Sequence, residues 1–97
     1  MGATLMCQGN KITSADLSNY DIPDDGMYII ATIEKEDKPE VISGLAKIVP
    51  GHTISNDYST MSMFSASLSK AQIAFLLENP KVKFVECDGV VSIAQKS

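Results

Sequence analysis

The feature that most constrains this chain is a change of hydrophobic period with no linker between. Residues 61–68 (MSMFSASL) alternate, with Phe64, Ala66 and Leu68 on one side and Ser65 and Ser67 on the other, the period of a strand with one buried face. Ser69-Lys70-Ala71-Gln72 follows at once, a capping box in its Ser-x-x-Gln form, and opens a helix that turns Ile73, Leu76 and Leu77 inward. Asn79-Pro80 ends that helix, because a residue before proline avoids helical geometry. Residues 82–87 (VKFVEC) then read as a core strand.

The upstream half shows the same switch. Residues 27–33 (MYIIATI) are β-branched and aromatic and apolar on both faces, a buried strand. After the charged stretch 34–38, Val41, Ile42, Leu45, Ile48 and Val49 form an apolar stripe at helical period. Asp37 with Glu40 makes an N-terminal box for it, Pro39 fits its first turn, and Pro50-Gly51 stops it. Residues 52–58 (HTISNDY) are a weaker strand, and Asn56-Asp57 with Ser59-Thr60 allows a hairpin-like connection to 61–68.

The resulting order is strand, helix, strand, strand, helix, strand. It predicts an α+β domain of the ferredoxin-like split βαβ plan (βαββαβ), a four-stranded antiparallel sheet with two helices on one face and an extended C-terminal tail. Residues 1–25 show no clear period and end at the turn signal Pro23-Asp24-Asp25-Gly26, so they are expected as a flexible or loosely packed extension. The domain is expected over 26–89 and the tail over 90–97.

On the strand 27–33, Tyr28 and Ile30 point opposite to Ile29, Ala31 and Ile33. If the helices cover one face, an apolar face remains, and Tyr28, Ile30 and Phe64 are expected as its docking residues. The alternative is that strand ends and the N-terminal extension cover it.

Composition narrows the function. A chain of 97 residues, 44% hydrophobic and 21% charged, has the makings of one folded domain with a modest core. Its 8 basic residues are all Lys, against 12 acidic ones, for a net charge of −4. Without Arg there are no bidentate readers of phosphate or guanine, and no nucleic-acid partner is expected. No apolar run approaches the roughly 20 residues of a membrane span, so no membrane partner is expected either. The N-terminus lacks a basic start followed by an apolar stretch, and Met6 stands where a myristoylation string starting at Gly2 requires Ser or Thr. Cys7 and Cys87 lie far apart, without metal or redox spacing, and are expected as free thiols in a reducing compartment. A cytoplasmic location is the expectation.

Catalytic groups are sparse. His52 has no nucleophile motif beside it and reads as a surface or edge histidine. Asp21, Asp25 and Gly26 approach a calcium loop, but Pro23 occupies a ligand position and Thr32 stands where the closing Glu belongs. With no glycine-rich phosphate loop and no Cys-x-x-Cys, neither an enzyme, a metal nor a cofactor is expected.

From Phe64 onward the string Phe64-Ser65-Ala66-Ser67-Leu68-Ser69, Gln72 and Asn79-Pro80-Lys81-Val82-Lys83-Phe84-Val85-Glu86-Cys87-Asp88-Gly89-Val90-Val91 resembles the end of a subtilisin propeptide, the peptidase inhibitor I9 family. Tyr28-Ile29-Ile30 is similar to that family's first strand, and the likeness covers roughly residues 27–94. It implies a subtilisin-like serine protease as partner, the chain acting as an inhibitor that is monomeric when free, docks by its sheet face and lays its C-terminal tail in the substrate cleft like a product.

Aligning Glu86-x-Asp88 with the family's motif implies Ala94 in the first subsite, with Ile93, Ser92 and Val91 in the second, third and fourth, and Val90 leading in. Such a tail can add as a strand, its backbone giving affinity and its side chains selectivity. Glu86 and Asp88, two apart on an extended chain, face one way, and the resemblance implies that they cap helix N-termini of the protease. Gln95, Lys96 and Ser97 run past the expected end. A folding chaperone of such a protease, or a ferredoxin-like interaction scaffold with no protease partner, are the alternatives.

Overall fold

The structure is a computed structural model that describes residues 3–88 and 93–95. It is α+β, with two helices against a mixed six-stranded sheet. The strands are β1 (Leu5–Cys7), β2 (Asn10–Ile12), β3 (Tyr20–Asp21), β4 (Gly26–Thr32), β5 (Asn56–Tyr58), β6 (Met63–Leu68), β7 (Val82–Cys87) and β8 (Ala94–Gln95); the helices are α1 (Lys38–Ile48) and α2 (Lys70–Leu77). The main sheet runs β2-β1-β7-β4-β6-β5, and β3 pairs with β8 in a sheet of two.

The four strands expected from the sequence are β4 to β7, each antiparallel to its neighbour among them. The expected four-stranded antiparallel sheet is nevertheless corrected to a mixed one of six, because β1 joins the free edge of β7 in parallel and β2 folds back on β1. Gln8 and Gly9, with φ of 54° and 81°, make the two-residue turn between them, the left-handed pair that a tight hairpin requires. The N-terminal extension is therefore a working part of the domain: Leu5 and Ile12 are fully buried, and Ala3, Cys7 and Leu17 nearly so.

The parallel register sets Leu5 beside Val85 and Met6 beside Glu86, so Cys7 arrives beside Cys87. The two are disulfide-bonded, with Cα atoms 5.0 Å apart. This corrects the expectation of free thiols, and the expectation of a reducing compartment loses the thiols it rested on. The pairing escaped the sequence reading because it depends on a strand that was not foreseen.

α2 forms as its capping box dictates. Ser69 Oγ accepts from the Gln72 N–H at 3.3 Å, and Gln72 Oε1 accepts from the Ser69 N–H at 2.8 Å. Gln72 is buried, and its Nε2 donates to the Leu45 carbonyl at 3.1 Å, which ties α2 to α1. At α1 the expected Asp37–Glu40 box is replaced by one a turn earlier: the Glu34 N–H donates to Asp37 Oδ2 at 3.2 Å, at the head of a 3-10 turn over Lys35–Asp37. The first helical residue, Lys38, is buried, and its Nζ reaches Asp57 Oδ1 at 2.6 Å and the Tyr58 carbonyl at 2.9 Å, pinning the helix start to edge strand β5. That strand is shorter than the 52–58 expected: its register with β6 covers residues 56–58, preceded by one bond from the Ser55 N–H to the Ser65 carbonyl at 2.9 Å.

The core gathers Val41 and Leu45 of α1 and Ile73, Leu76 and Leu77 of α2 over Leu5, Ile12, Tyr28, Ile30, Phe64, Ala66, Leu68 and Val85. Tyr28, Ile30 and Phe64 are fully buried there, so their expected place on an open docking face is corrected. The reason is parity. Ile30 faces Phe64 on one side and Val85 on the other, and Tyr28 faces Ala66, so all lie on the side that the helices cover.

Candidate functional site

The open face of the sheet carries the opposite set. Pairs across β6-β4-β7 are Met27 with Ser67, Ile29 with Ser65 and Glu86, and Ala31 with Met63 and Phe84; Met6 of β1 lies beside Glu86. Met27, Ile29, Met63 and Phe84 are half-buried and stand outside the core cluster, while Met6 is 37% exposed. Ala31 and Ser65, small residues at the centre, are shaded by their larger neighbours at 3% and 5% exposure. The result is an apolar patch with an acid at its margin, on a sheet face against which no second layer packs among the described residues.

Glu86 is exposed on this face. Asp88, also exposed, donates its backbone N–H to the Met27 carbonyl at 2.9 Å, which carries the β7–β4 register one step past the end of β7. Strand alternation then sets Asp88 on the same side as Glu86. Both acids belong to the end of β7 from which the tail departs.

Val90, Val91 and Ser92 lie outside the described residues. Ile93 is half-buried and packs against the core cluster, as do Tyr20 and Ile22. Ala94 and Gln95 pair with Asp21 and Tyr20. The tail expected to extend outward is thus corrected over its described part: it turns back onto the N-terminal segment. The sequence held no sign of this, since β3 and β8 have two residues each and no period can be read from two positions.

His52 serves the fold. Its Nε2 lies 2.7 Å from the Ser67 carbonyl, and since a carbonyl can only accept, the proton sits on Nε2 in that contact. Its Nδ1 and the Tyr28 hydroxyl are buried without partners among the described residues. Burial, and secondly the charge of Asp25, push the Tyr28 hydroxyl up to about 12. On the helix side, a groove of about 470 Å³ between α1 and α2 is lined by Glu40, Ser43, Gly44, Lys47, Ile48, Phe75 and Asn79, and the Glu40 carboxylate there is paired with Lys81. Among the described residues no three His, Cys, Asp or Glu side chains converge to hold a metal ion. No helix there is long and apolar enough to cross a membrane.

Ile29, Met63 and Phe84 of the open face, the acidic pair and the tail as far as Ala94 fall within one stretch that known sequences also delimit. The model of the peptidase inhibitor I9 family matches residues 28–94, from the second residue of β4's apolar run to the first residue of β8. No curated protein matches the chain.

Proposed function

The chain belongs to the peptidase inhibitor I9 family, and on that footing we propose that it inhibits a subtilisin-like serine protease by docking its open sheet face and placing its C-terminal tail in the substrate cleft. The family is one of inhibitor domains akin to subtilisin propeptides, not of enzymes. The observation that carries the reading is the extent of the match, which takes in the whole of β4 to β7 beyond its first two residues and ends at Ala94.

The docking residues in this reading are Met27, Ile29, Met63 and Phe84, in place of Tyr28, Ile30 and Phe64. Fully burying a side chain of this kind contributes about 1.5–3 kcal/mol, and a half-buried one about half of that. Glu86 and Asp88 at the margin meet free N–H groups at helix N-termini of the protease, each worth about 0.3–1 kcal/mol at a surface. The tail adds as a strand, with small Ala94 at a shallow first subsite and Val91 at an apolar fourth one. A body held by a broad face retains even a cleaved tail, because such contacts act mainly on the off-rate.

Titration of a subtilisin with the wild-type chain and with Ile29→Lys tests the docking face. The account expects competitive inhibition that weakens at least tenfold in the variant, at unchanged thermal stability. Equal inhibition by both proteins would place docking elsewhere.

A further inference from the structure

Proposed inhibition uses residues 27–94 and leaves the segment between β2 and β4 without a task, yet that segment is the partner of the tail. Asp21 faces Ala94 and Tyr20 faces Gln95 in an antiparallel pair separate from the main sheet. Several contacts set β3 in position to receive β8. Leu17, buried, anchors the 3-10 turn Leu17–Asn19 just ahead of it. Tyr20 and Ile22 pack against the core cluster, and Lys70 Nζ at the start of α2 donates to the Tyr20 carbonyl at 3.2 Å. The disulfide fixes Cys7, upstream of the clasp, to Cys87, where the tail begins, so both partners are tethered to one point of the fold.

We infer that β3 is a built-in clasp for the inhibitory tail, an internal strand that occupies the backbone edge of residues 94–95 and must release it before the tail can enter a protease's groove. The inference rests on the inhibitor reading. One edge of a strand cannot pair with β3 and with a groove at the same time. Because both ends are held on one body, closure is intramolecular and favoured by high effective concentration. A pair of two residues is weak by itself, so opening is a local event well short of global unfolding. Apparent affinity is the intrinsic affinity multiplied by the open fraction, so a clasp closed nine-tenths of the time weakens inhibition about tenfold.

The double variant Tyr20→Pro with Asp21→Pro removes both strand amides of β3, and Lys70→Met removes the tether at its carbonyl without touching the pair. Amide hydrogen exchange of residues 93–95 reads the clasp with no protease present, and subtilisin inhibition reads its consequence. The proposal expects exchange at 93–95 to quicken at least tenfold in the proline variant and by a smaller factor in Lys70→Met, with β4 to β7 still protected. It also expects the inhibition constant to fall about tenfold. Unchanged exchange in Lys70→Met and in a folded proline variant overturns the clasp, as does faster exchange with unchanged or weaker inhibition, which would mean that β3 steadies the tail for binding. If neither wild type nor variants inhibit while exchange quickens as expected, the inhibitor reading fails and the clasp stands as an intramolecular contact.

Discussion

Cys7 is bonded to Cys87 across the one parallel pairing of the main sheet, at a sequence separation of 80 residues. The bond joins β1 to the end of β7, so the N-terminal strand is fastened close to where the tail departs. Closing so long a loop restricts the unfolded chain strongly. Cys7→Ser with Cys87→Ser is expected to lower stability by about 2–5 kcal/mol, measured by urea unfolding. A loss below about 0.5 kcal/mol would show that strand pairing alone holds β1.

The Tyr28 hydroxyl is buried without a partner among the described residues, and removing such a group without leaving a cavity is neutral or stabilising. Tyr28→Phe is expected to leave the melting temperature unchanged or raise it, within about 1 kcal/mol. Alkali gives a second signature. The folded hydroxyl is pushed from 10.0 to about 12, so above pH 10 the unfolded chain gives up a proton that the folded one keeps. That stability is complete below pH 10 and declines between pH 10 and 12, with a slope approaching about 1.4 kcal/mol per pH unit. Thermal melts of wild type and Tyr28→Phe across that range check it: the variant's slope should be shallower, and parallel slopes would contradict it.

Lys38 and Asp57 are unequal partners, the Lys side chain 7% exposed and the Asp 53%. Removing the exposed member leaves a buried ammonium with backbone carbonyls but no counter-charge; replacing the buried member leaves a carboxylate facing water. Asp57→Ala is therefore expected to cost about 1–3 kcal/mol, and Lys38→Met less than about 1. Chemical denaturation of the two variants reads the difference, and the reverse order would mean that the pair is solvated.

Much of the domain was legible in the sequence where a period persisted. The stretch 61–68 alternates and ends in Ser69–Gln72, and β6 and α2 form there with the cap in place. β7 occupies 82–87 as expected. The open face differs from the expected one by one step of parity, although β6 carries the clue: Phe64, Ala66 and Leu68 share one side, and Ile30 and Tyr28 pair with Phe64 and Ala66 on that side. What stayed hidden came from short elements. β1 and β2 have three residues each, joined at Gln8-Gly9 without the Asn-Gly or Asp-Gly that usually marks such a turn, and what fixes them is burial of Leu5 and Ile12 by the rest of the fold. The disulfide goes with the pairing of β1 to β7, and the return of residues 94–95 goes with β3, an element of two residues.

The most direct test of inhibition by the tail is a titration of a subtilisin with the full chain and with a chain ending at residue 90. The account predicts competitive inhibition by the full chain and at least a hundredfold loss on truncation, with the far-UV spectrum and the protection of β4 to β7 retained. Inhibition of equal strength from the shortened chain would contradict it.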